Sequence, residues 1–106
     1  MKWFQLKSIH NDTLFSVGGH SHHHIILSFL DKTHLEKEIE ISMRLLKTKC
    51  EIQTHHYSYP EGLEKHYSDE VINILKKYGI ICCPTAINGT NLITDDLFHL
   101  KRVMIT

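Results

Sequence analysis

Leu35, Ile39, Met43 and Leu46 recur at intervals of four, four and three, which aligns them along one face of a helix. Thr33 followed by Glu36 has the form of a capping box, so the spacing predicts a helix over about residues 34–48. β-like stretches flank it. The apolar run Leu14-Phe15-Ser16-Val17 predicts a buried strand, and the aromatic and β-branched content of residues 52–59 predicts another, broken by Pro60-Glu61-Gly62. A second helix follows, with Ser68 as its cap and Asp69 and Glu70 at the positive end of its dipole. Val71, Ile72, Leu75 and Tyr78 form its apolar face, and Gly79 stops it. Ile80-Ile81-Cys82-Cys83 reads as a fully buried strand closed by Pro84, and residues 100–105 as a last short strand. Ahead of all these, Trp3, Phe4, Leu6 and Ile9 predict a short first helix ending at Asn11-Asp12.

Strand and helix in alternation predict an α/β fold with right-handed crossovers, here an open sheet of about four mostly parallel strands with two or three helices. Ligands bind at the carboxyl ends of strands in such sheets. Residues 20–24 and 59–62 each follow a predicted strand, so both loops are expected on one face as one site.

At 106 residues the chain has the length of one domain with a modest core. Its twelve basic and twelve acidic residues balance, leaving no overall field to attract nucleic acid or an anionic membrane. No apolar run approaches the roughly 18 residues of a membrane span, and the first residues do not open a signal peptide, so a cytoplasmic protein is expected. Cys50, Cys82 and Cys83 are odd in number and lack Cys-x-x-Cys spacing, which argues for small apolar side chains rather than a disulfide framework or a structural zinc site.

Gly18-Gly19-His20-Ser21-His22-His23-His24 packs four of the ten histidines into five positions. Neutral imidazole is the commonest protein ligand for metals, and two glycines would let backbone or ligand approach closely. The run is internal and interrupted by serine, unlike a terminal tag. A metal site and a solvated polar loop are both consistent with it. His20 and His24, four apart, can chelate one ion, with Ser21 able to orient a ring, although His22 and His23 are equally available by spacing.

The chain resembles the NodB-type polysaccharide deacetylases, carbohydrate esterases that remove acetyl groups from N-acetylated sugars. The resemblance rests on Gly19-His20-Ser21-His22-His23-His24, similar to the family's His-Ser/Thr-x-x-x-His motif read as His20, Ser21 and His24. It continues through Glu38-Ile39 and Ser42, Tyr57-Ser58-Tyr59-Pro60-Glu61-Gly62, Tyr78-Gly79-Ile80, Cys83-Pro84-Thr85 and Phe98-His99-Leu100-Lys101-Arg102. It spans nearly the whole chain but only the later half of the family domain, so residues 1–106 are expected to be a single truncated domain resembling part of a distorted (β/α) barrel.

The resemblance implies a divalent metal, usually zinc, held by His20, His24 and an aspartate, with a second aspartate as general base. Both aspartates belong to an Asp-Asp motif with no counterpart here, and Asp95-Asp96 is better read as a turn. The family's usual arginine aligns with Ser58, and the backbone N–H that helps bind the oxyanion aligns with Glu61. The motif of the general-acid histidine is not recognisable, so His66 and His99 are surface or satisfied histidines. Tyr59 and Glu61 are the candidate substrate-binding residues, Tyr57 and Tyr59 being either sugar platforms or core. The implied activity is metal-dependent hydrolysis of N-acetyl groups on a glycan; a non-catalytic metal- or glycan-binding remnant is the alternative. An incomplete barrel has an exposed edge, which implies association with a second copy or a partner chain.

Overall fold

The computed structural model describes residues 1–106. The backbone forms three α-helices, α1 (Trp3–Asn11), α2 (Lys32–Cys50) and α3 (Asp69–Lys77), with a 3-10 turn at Leu27–Phe29. None of them is long and apolar enough to cross a membrane.

The expected sheet does not form. The segments read as strands meet only at three isolated parallel bridges, Gly19 with Tyr57, His56 with Cys82 and Asn88 with Arg102. Side chains take the N–H groups that a continuous ladder would need, a competition that favours local turns over pairing. His10 accepts from Val17 N at 3.2 Å, Thr54 from His56 N at 3.1 Å, and Thr85 from Ile87 N at 3.2 Å. Asn91 accepts from Lys101 N at 2.8 Å in the same way. The left-handed residues Ser21 and Glu61, with φ of 60° and 61°, turn the chain away shortly after its bridges. Residues 14–17 depart furthest from the expectation. Asp12 accepts from Leu14 N at 2.8 Å in a turn, and Leu14 is 83% exposed.

The helices follow their caps. α2 starts earlier than the capping-box pattern predicts because Asp31, not Thr33, accepts from His34 N at 2.9 Å. Glu36 does not close that box and reaches α3 instead, bonding Lys77 and Tyr78. α3 is capped by Ser68 as expected, which accepts from Val71 N at 3.3 Å. It ends in a Schellman motif, with Gly79 at φ +84° donating to Lys76 O and Ile80 donating to Leu75 O.

The main core joins Leu35 and Ile39 of α2 to Val71, Ile72, Ile74 and Leu75 of α3, closed by Leu27, Tyr57, Tyr59, Ile80, Cys83 and Phe98. A smaller cluster of Leu46, Cys50 and Ile52 receives Leu6 and Val17. α1 forms where periodicity predicts, yet none of its residues is fully buried. Cys50 and Cys83 are buried free thiols, as expected, while Ile81 within the expected buried strand is exposed.

Candidate functional site

The bridge from Gly19 to Tyr57 lays the histidine loop beside residues 57–62, so the two loops adjoin. Gly18 and Gly19 serve that approach rather than a ligand's. A Cβ on Gly19 would stand 2.3 Å from the Tyr57 ring, and one on Gly18 would stand 2.9 Å from His56 O.

His20 and His24 come together, their ring centroids 4.9 Å apart at 60°. His20 Nδ1 lies 2.9 Å from the Ser58 carbonyl and 2.8 Å from Ser58 Oγ. A carbonyl only accepts, so Nδ1 carries a proton, and in the neutral ring this leaves the lone pair on Nε2, the tautomer that a metal ligand needs. Ser21 does not perform the orienting role expected of it. Its hydroxyl is buried without a partner, and Ser58 does that work instead.

The rest of the loop is held from below. Tyr57 OH accepts from Ser21 N at 2.7 Å and lies 2.9 Å from Ser42 Oγ. Ser42 Oγ itself donates to Ile39 O at 2.7 Å, so the tyrosine donates to the serine and the bonds run in one direction. Burial pushes the Tyr57 hydroxyl up to about 12, keeping it a protonated donor. Glu38 accepts from the backbone N–H groups of His22 and His23, and its other oxygen lies 2.9 Å from His23 Nδ1. Burial raises the Glu38 pKa, but the His23 ring and the two backbone N–H groups outweigh it and hold the carboxyl below its ordinary value. His22 and His23 stack edge to face at 4.3 Å.

Among the other candidates, Tyr59 is 1% exposed, donates from its hydroxyl to Phe98 O at 2.9 Å and stacks on Tyr67, so it is placed as core. Glu61 is exposed at φ 61°. Asp95 and Asp96 bond the backbone of their own turn, and His99 pairs with Asp96 at 3.0 Å. His66 accepts from Leu63 N at 3.1 Å.

Glu38, Ser42 and Ser58 are the residues whose roles the sequence does not reveal. Glu38 and Ser42 each follow an apolar residue of the α2 stripe by three positions, and a polar residue on a core-facing stripe is the signal that marks them. As a ligand set, His20 and His24 offer imidazole donors of the type a divalent cation takes, on rings that adjoin, but no group of three or more His, Cys, Asp or Glu side chains converges on one point.

The polysaccharide deacetylase family profile matches residues 1–82. Among solved structures, the chain is similar to the Streptococcus pyogenes deacetylase PplD in complex with acetate, at 22% identity and a TM-score of 0.76, covering 85% of this chain and 38% of that one. It is also similar to IcaB from Ammonifex degensii, at 20% identity and a TM-score of 0.78, covering 98% of this chain and 47% of that one. The chain therefore spans less than half the length of either structure. Comparison with curated protein sequences gives no match.

Proposed function

The chain belongs to the polysaccharide deacetylase family, and on that premise we propose that it takes part in metal-dependent hydrolysis of N-acetyl groups on a glycan, with His20 and His24 as two ligands of a divalent cation, zinc by expectation. The observation that carries this reading is the paired geometry of the two rings, with the His20 tautomer set by the Ser58 carbonyl. A divalent cation in such a site polarises an acyl carbonyl and lowers the pKa of a bound water.

The chain's own residues contribute placement. Ser58 fixes His20, the α2 side chains fix the loop between His20 and His24, and the Glu61 N–H, which makes no bond within the chain, is available to a substrate oxygen. Glu61 is the substrate-side candidate with an exposed side chain, whereas Tyr59 is buried, bonded to Phe98 O and stacked on Tyr67. The family's Asp-Asp motif has no counterpart in these 106 residues, so neither the third ligand nor the general base is assigned to a residue of this chain.

That donor set favours a second reading, stoichiometric metal or glycan binding without turnover. Release of acetate from an acetylated chito-oligosaccharide in the presence of zinc, abolished by His20→Ala, supports catalysis. Bound zinc or bound chito-oligosaccharide with no acetate released supports the second reading, and binding of neither contradicts both. Apolar side chains exposed at both ends of the chain, among them Phe4, Phe15, Ile93 and Ile105, favour association with a second copy, and a monomer in sedimentation at high concentration contradicts that.

A further inference from the structure

Glu38 faces the core from α2 and is 6% exposed, a position where a carboxylate has to be compensated. No lysine or arginine pairs with it. All its bonds go to the histidine loop, through the backbone N–H groups of His22 and His23 and the ring of His23. The preceding N–H, of Ser21, is taken by Tyr57. Three successive backbone donors between His20 and His24 are thus held by side chains. The loop needs such restraint, because Ser21 and His24 sit at φ 60° and 55°, a left-handed region that non-glycine residues leave unless the surroundings impose it. The His23 ring is exposed and meets Glu38 through one nitrogen only, so the backbone bonds set the loop's course.

We infer that Glu38 is a positioning residue of the histidine loop, fixing from α2 the backbone that carries His24 back towards His20. This rests on the reading of His20 and His24 as cation ligands. A structural role in the core alone would lower global stability and leave zinc affinity of the folded chain unchanged.

The test uses the 106-residue chain and its Glu38→Ala, Glu38→Gln and His23→Ala variants, at a temperature where circular dichroism shows all of them folded. Amide hydrogen exchange is measured without metal, and zinc affinity by competition with a chelator. In Glu38→Ala the His22 and His23 amides are expected to exchange at least about tenfold faster, as groups released from a local restraint do. Its zinc affinity is expected to fall roughly 10–100-fold, the loss typical when the support of a ligand is removed. Glu38→Gln, which keeps an acceptor oxygen at the same reach, restores most of both, and His23→Ala stays within about threefold of wild type. Wild-type exchange in Glu38→Ala, or zinc affinity equal to wild type, overturns the inference. Should Glu38→Ala not fold, Glu38→Asp withdraws the oxygens by one methylene and is expected to show the same two losses, with wild-type values again overturning the inference. If zinc fails to bind the wild-type chain, the ligand reading falls, and the exchange rates alone decide whether Glu38 holds the loop.

Discussion

The histidine loop and the stretch over residues 92–105 both lie at the surface, and they are held in opposite ways. The loop is polar, yet its backbone is fixed by Tyr57 and Glu38, side chains that are themselves buried. The later stretch is rich in apolar residues, but Leu92, Ile93, Val103, Met104 and Ile105 all point to solvent. Only Phe98 among its large apolar side chains is buried, and its other anchors are polar, among them Leu97 O and Leu100 O accepting from Cys83 N and Thr85 N, the Asn91 bonds to the Lys101 backbone and Arg102 Nε donating to Thr85 O at 2.6 Å. Hydrophobic content does not bring a segment inside unless a complementary surface exists to bury it, whereas satisfied backbone groups can order a segment that has no core of its own. The polar loop is thus ordered by bonds to buried side chains, while the apolar stretch leaves most of its side chains uncovered.

Breaking the support under the loop has the largest expected effect. Gly19→Ala drives a methyl group into the Tyr57 ring, which its hydroxyl bonds hold in place. A loss of about 3 kcal/mol, at the upper end of overpacking costs, is expected from urea unfolding. Tyr57→Phe keeps the ring and removes the oxygen that accepts from Ser21 N, for a loss of about 1–2 kcal/mol in the same assay.

Acid should act on the same region. The folded Glu38 carboxyl titrates below its ordinary 4.5, so its contribution to stability is present above that value and is lost as pH falls through the lower folded one. Asp31, Glu36 and Asp96 are lowered as well, so the difference in unfolding free energy between wild type and Glu38→Gln across that window isolates the Glu38 part. A difference independent of pH contradicts the assignment. The smallest effect belongs to the apolar stretch. Ile93→Ser should change monomer stability by less than about 0.5 kcal/mol while reducing self-association in sedimentation.

The three helices were legible because each carries its own local signals: the spacing of Trp3, Leu6 and Ile9 in α1, the stripe of Leu35, Ile39 and Leu46 in α2, and the Ser68 cap and Gly79 stop of α3. The strands were not, because ladder formation depends on which groups claim each N–H, and Thr54, Thr85 and Asn91 act on that only once folded. Leu14 and Phe15 show the same limit, since apolarity alone does not report whether a surface exists to bury them. Within the site, the spacing of His20 and His24 was readable and the structure brings those rings together. The roles of Ser58 and Glu38 were not, since neither is near the loop in sequence and both act through backbone geometry.

The division of labour among the four histidines is the most direct test of this account. Zinc affinity measured for single alanine variants at His20, His22, His23 and His24 should fall at least about tenfold for His20→Ala and His24→Ala, the motif pair whose rings adjoin, and stay near wild type for His22→Ala and His23→Ala. Losses spread evenly over the four positions, or concentrated at His22 and His23, would contradict it.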